Sequence, residues 1–166
     1  MKRLVLFGLI GCLLVSGCRQ SLPARPLTFC FSAVLSVADG DTVWQGQLTV
    51  TETTYEWVLT DPPKAAGYRL TCDGETATLT AEGAKPLVTA LGILPPDGIP
   101  AVLWCALFDS DRRPVSWDGK DGLSTGYTPA GVYELRTDAG SGLPLSLCPV
   151  GGNWSAVFEG STKIET

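Results

Sequence analysis

From Thr28 to Glu82 the side chains alternate residue by residue, and this period of two constrains the fold more than any other feature. Phe29, Phe31, Ala33, Leu35 and Val37 interleave with Cys30, Ser32, Val34 and Ser36. Beyond an Asp39-Gly40-Asp41 turn signal, Trp44, Gly46, Leu48 and Val50 interleave with Gln45, Gln47, Thr49 and Thr51. Tyr55, Trp57 and Leu59 follow, then Asp61-Pro62-Pro63 breaks the run; Tyr68, Leu70 and Cys72 come next. Asp73-Gly74 turns the chain again, and Ala77, Leu79 and Ala81 alternate with threonines. Successive strand side chains point to opposite faces, so this pattern predicts an antiparallel meander of five strands with one apolar face.

The rhythm changes in the middle. Leu87 to Leu94 is apolar at both parities and fits strand or helix. Pro95-Pro96-Asp97 can open a helix, and Ile99, Val102, Leu103, Ala106 and Leu107 fall at helical spacing. Its other side carries Ala101, Trp104, Cys105 and Phe108, so the helix is apolar all round and should be buried on more than one side. It should end near 109–111, since Pro114 cannot continue it. Strand signals return weakly over Gly122–Tyr127 and clearly from Val132 to Asp138. They continue with Leu143, Leu145 and Leu147, and with Trp154, Ala156 and Phe158. The expectation is a mainly β chain: a curved antiparallel sheet, or half-barrel, of about nine strands with one covering helix. Nine strands span on the order of 40 Å, and a helix is about 10 Å across. The sheet must curl, bind a ligand or bind a partner to cover its apolar face.

The first residues read as an address. Lys2 and Arg3 precede an uncharged run from Leu4 to Gly17, the length of a signal-peptide core and too short for a membrane-spanning helix. The run ends in Val15-Ser16-Gly17-Cys18, which resembles the lipobox of bacterial lipoproteins. The resemblance implies a signal peptide over 1–17 and a diacylglycerol thioether, with the further acyl chain such proteins carry, on Cys18. That makes the protein extracytoplasmic and anchored to the bacterial cell membrane. Arg19 does not match an inner-membrane retention signal, which implies the outer membrane where a cell has two. A tether over 18–27, a β domain over 28–161 and a tail over 162–166 complete the expected organisation. Loss of Lys2 and Arg3 takes the formal charge from −5 to −7.

That acidic balance argues against nucleic acid as a partner. The chain has no histidine, which removes Ser-His-Asp and Cys-His nucleophile chemistry and His-ligated metals. The carboxylate pairs Asp39/Asp41, Glu52/Glu56 and Asp109/Asp111 lie at turns or element ends, where acidic residues are solvated turn formers. Asp109, Asp111 and Asp118 match no calcium-loop spacing and read as an acidic turn. No enzyme activity, cofactor or metal is expected. Cys12 leaves with the signal peptide, so Cys30, Cys72, Cys105 and Cys148 remain, with no CxxC among them. They are either small buried hydrophobes or disulfide partners; side-chain alternation would favour Cys72–Cys105 and Cys30–Cys148.

The meander, the apolar mid-chain helix and the returning strands resemble the LolA/LolB-like lipoprotein-carrier superfamily, especially its Gram-positive germination-type lipoproteins. Local pieces that carry the resemblance are Trp44-Gln45-Gly46-Gln47-Leu48, Asp61-Pro62-Pro63 with Gly67-Tyr68, and Gly142-Leu143-Pro144-Leu145. It covers roughly residues 28–160 and implies an apolar concavity for acyl chains or a partner's apolar segment. Candidates for that face are Trp44, Trp57, Tyr68, Leu70, Leu79, Trp104, Leu135 and Trp154. The expected partners are the membrane through Cys18 and a lipid or acyl ligand or an envelope protein; the alternative is a structural envelope or spore-associated lipoprotein without a cavity.

Overall fold

All the described strands join one antiparallel sheet. The computed structural model describes residues 30–108, 113–117 and 121–164. Within them the strands are β1 (Phe31–Asp39), β2 (Thr42–Val50), β3 (Tyr55–Asp61), β4 (Arg69–Cys72), β5 (Thr76–Thr80) and β6 (Leu87–Ala90). After a 3-10 turn over Leu91–Ile93 and the helix α1 (Ile99–Phe108) come β7 (Arg113–Trp117), β8 (Asp121–Thr128), β9 (Gly131–Asp138), β10 (Pro144–Pro149) and β11 (Trp154–Lys163). The spatial order is β6-β5-β4-β3-β2-β1-β11-β10-β9-β8-β7. Two meanders therefore meet at a single seam, where β1 pairs with β11. The segment carrying α1 runs from one sheet edge to the other. The architecture is the curved half-barrel with one helix that the sequence and its family resemblance implied.

Burial follows the alternation. Phe31, Ala33, Leu35 and Val37 of β1 are buried while Ser32, Val34 and Ser36 are not; Trp154, Ala156 and Phe158 of β11 repeat the pattern. The convex face is mostly Thr, Ser and Gln with an Arg69–Glu56 ion pair at 2.7 Å, an exposed pair of little energetic weight. On the concave face α1 packs its Ala101, Val102, Leu103, Ala106 and Leu107 into the core. It starts at Ile99 rather than at the preceding prolines, because the Pro95 carbonyl closes a turn with Gly98 N–H at 2.9 Å.

Eleven strands form where about nine were expected. β6 comes out of the ambiguous apolar stretch, and β7 contains Pro114, which in the sequence signals only a helix stop. Edge strands are where a sheet tolerates proline, and β7 is an edge with a register irregularity beside Pro114. In β10 the register slips between Pro144 and Ser146, so Pro144 and Leu147 are buried and Leu145 is not, against strict alternation. β11 runs to Lys163, past the expected boundary at 161, because Lys163 pairs with Phe31 and Ile164 N–H reaches the Cys30 carbonyl at 3.0 Å. Cys12, Cys18, the tether, Asp109, Asp111 and Asp118 lie outside the described residues. No helix among the described residues is long and apolar enough to cross a membrane.

No disulfide joins the four cysteines Cys30, Cys72, Cys105 and Cys148. For Cys30 with Cys148 the register forbids one. Leu147 pairs with Ala156, which faces Val37, so Cys148 sits level with the far end of β1. Eight strand residues, ~26 Å, separate that level from Cys30, against a disulfide limit of about 7 Å between Cα atoms. Cys72 is buried opposite Tyr55 in the β3–β4 register and is not bridged to Cys105.

Candidate functional site

Strand register places the concave residues in rows. Leu48 faces Trp57, Trp57 faces Leu70, Leu70 faces Leu79 and Leu79 faces Leu87, one residue from each of β2 to β6. Exposure rises along this row toward the free edge. Leu48 is wholly buried and Trp57 is 4 % exposed; Leu70 and Leu79 are half-buried; Leu87 is 65 % exposed. The result is an apolar ramp from the sheet edge into the core. Three of the residues singled out in the sequence, Trp57, Leu70 and Leu79, share it; Leu87 joins them only through its pairing with Leu79, which no alternation in Leu87–Ala90 signals.

The next row toward the helix holds Tyr55, Cys72, Ala77 and Thr89. Burial, with a smaller contribution from neighbouring Cys72, pushes the Tyr55 hydroxyl well above its ordinary pKa; burial likewise pushes the Cys72 thiol up. Both stay neutral near physiological pH. Tyr55 Oη donates to the Pro100 carbonyl at 3.1 Å, and its ring lies 6.4 Å from that of Trp104. Trp104 stacks on Phe108 at 4.0 Å and covers Gly74, where a Cβ would stand 2.5 Å from the indole.

Two further aromatic donors hold the helical segment from the other meander. Trp154 Nε1–H donates to the Asp97 carbonyl at 2.9 Å, and Tyr133 Oη donates to the Cys105 carbonyl at 3.2 Å. The second bond ties β9 to the last turn of α1. Tyr133 finds room because Gly126 lies beneath its hydroxyl; a Cβ there would collide with it. Leu135 and Trp154 are thus core residues under α1, 0 % and 6 % exposed, and a ligand would meet them only with the helix displaced. Trp44 is half-buried against the core beside Val37, and Tyr68 sits at the rim, its main chain bonded to Leu59 and Ala65.

Trp57 differs from the other buried aromatics. Its Nε1–H has no hydrogen-bond partner among the described residues. A buried donor left unpaired costs about 1–3 kcal/mol.

Cavities flank α1 among the described residues. One of about 360 Å³ opens between the helix and the 3-10 turn, lined by Gly74, Leu91, Leu94, Ala101 and Cys105 among others. A smaller one of about 150 Å³ lies among Asp97, Thr128, Gly131, Val150 and Gly151. The larger is mostly apolar and reaches the ~300 Å³ at which small-molecule sites begin. Among the described residues no group of three or more metal-ligating side chains converges. Of the carboxylate pairs, Asp39 accepts from Asn153 and Glu56 is spent on Arg69.

No family model and no curated protein matches the sequence. Solved structures do match. An uncharacterized conserved protein from Thermus thermophilus superposes with TM-score 0.54 at 9 % identity, over 84 % of this chain and 82 % of its own. The two chains share a fold. A LolA superfamily protein from Nitrosomonas europaea is similar at TM-score 0.47 and 13 % identity, over 86 % of this chain and 89 % of that one. The complex of the CwlD amidase with the GerS lipoprotein from Clostridioides difficile contains a chain similar at TM-score 0.44 and 10 % identity, over 96 % of this chain and 91 % of that one.

Proposed function

We propose that this is a lipid-anchored extracytoplasmic binding protein, without enzyme activity, that takes an apolar ligand on the open part of its concave face. The observation that carries the reading is the ramp from Leu87 to Trp57, whose apolar side chains become exposed toward the sheet edge. Apolar surface held open next to a filled core is unfavourable in water and marks a place where something else docks. The paired charges and the hydrogen-bonded turn aspartates lie elsewhere, so binding rather than bond-making chemistry fits the face. A second reading, a polypeptide partner, draws on Val88 and Ile93, which are 58 % and 79 % exposed beside the same edge.

Native mass spectrometry of the purified full chain tests the ligand. A co-purifying apolar molecule, released when Leu79→Asp is introduced, supports it. The absence of one, together with no uptake of a fluorescent fatty acid, overturns it in favour of the polypeptide reading. The anchor is tested separately by feeding radiolabelled palmitate. The chain should take up label and partition with membranes, and Cys18→Ala should do neither; label retained in that variant removes the anchor from the proposal.

A further inference from the structure

The buried aromatic donors on the concave face differ in one respect. Tyr55, Tyr133 and Trp154 each give their proton to a main-chain carbonyl of α1 or its lead-in, at 3.1, 3.2 and 2.9 Å. Trp57 faces the same side of the sheet, is 4 % exposed, and has no acceptor for its proton among the described residues. The helix that satisfies the other three stops short of this one. Trp57 also stands near the inner end of a row that passes through half-buried Leu70 and Leu79 to the exposed edge residue Leu87, three strand spacings or ~14 Å away. A dry orphan donor and an apolar approach to it are two independent features of one place.

Resting on the binding reading above, we infer that the ligand of this ramp is an elongated, uncharged, apolar molecule with a hydrogen-bond acceptor, such as a carbonyl or ether oxygen, at its buried end, accepted by Trp57 Nε1–H. A plain hydrocarbon end would bury as much area and leave the indole donor unpaired. Such a ligand is discriminated from a simple alkyl tail in the way a site built for an acceptor rejects the analogue lacking it. A carboxylate is disfavoured there, since Trp57 offers one neutral donor and Tyr55 and Cys72 nearby are themselves held neutral by burial.

The test compares methyl nonyl ketone with undecane, equal in chain length and different in one acceptor. Both are titrated into the full chain in lipid nanodiscs, wild type and Trp57→Phe. The ratio of the two dissociation constants in wild type, divided by the same ratio in the variant, cancels partitioning into lipid; it should be about 2 to 12, the range of one net hydrogen bond. Independently, the Trp57 indole N–H resonance of the wild type, assigned through its NOEs to Leu48 and Leu70, should move downfield with the ketone and not with undecane. That second readout stands even where Trp57→Phe fails to fold. Equal binding of both compounds, an unmoved indole resonance, or a water cross-peak at that proton in the ketone-saturated protein overturns the inference and leaves the apolar site intact. Failure of both compounds to bind overturns the apolar site as well.

Discussion

A methyl group at position 126 would fall on the Tyr133 hydroxyl, so the glycine there is a slot and not a turn. Gly126→Ala should destabilise the fold by about 1–3 kcal/mol through overpacking, and Tyr133→Phe by about 1 kcal/mol through the lost bond to Cys105; urea unfolding followed by tryptophan fluorescence separates the two. Asp73 gives a pH signature. Its carboxylate accepts from Thr76 and Glu75 N–H at 2.7 and 3.0 Å, which lowers its pKa. The anion is therefore what steadies the β4–β5 turn. Its contribution is fully present above the unfolded-state value of about 3.9 and lost as the pH falls through the lower folded value. Asp73→Ala should melt below wild type at neutral pH, and the gap should close in acid. Cysteine reactivity separates along burial: Cys148, exposed on β10, should alkylate in the folded protein, while Cys72, buried with its thiol held protonated, should alkylate only on unfolding. Of these residues the sequence exposes the turn aspartate through Asp73-Gly74, but Gly126 and Tyr133 meet only in space.

Elements with one dry face and one wet face were legible from the chain; those without were not. β1 to β5 alternate because their convex side faces water; α1, apolar all round, is the exception and is legible from its helical spacing after the prolines. Leu103→Ala, at a site 1 % exposed, should cost about 2–5 kcal/mol by the same unfolding assay. β6 hid because an edge strand with Leu87 and Val88 bare on opposite faces has no polar phase to reveal it. β7 hid behind Pro114, and the slip in β10 defeats any strict period. The exposure of Leu87 also makes a prediction at this scale. Leu87→Lys should leave stability within about 0.5 kcal/mol, as surface changes do, yet weaken uptake of an apolar probe; a probe titration beside a melting curve checks both.

At the scale of the whole molecule, the sheet has two free edges, β6 and β7, and the covering segment joins them. A single helix covers the strands of the second meander and the centre, and leaves the ramp of the first meander for a ligand. The sequence disclosed the excess of apolar face over helix, which is why a concavity was expected. It could not disclose that the surplus lies over β4 to β6, because that depends on which edge the helix leaves and which it reaches. The candidate residues split accordingly, with Trp57, Leu70 and Leu79 on the ramp and Leu135 and Trp154 under the helix.

The seam between β1 and β11 has a kinetic consequence. It joins residues such as Ser32 and Thr162, 130 positions apart along the chain, and the rest of the pairing is between strands consecutive in sequence. Each meander can zip by short hairpin closures, whereas the seam must wait for both. Folding should therefore be slow, on the order of milliseconds to seconds as for other sheets with distant pairings. Stopped-flow refolding should show Ala156→Gly, at the seam, and Ala77→Gly, within a meander, changing the folding rate unequally. During synthesis β1 is complete long before its partner exists, so until β11 arrives its outer hydrogen-bonding edge is the molecule's most aggregation-prone surface.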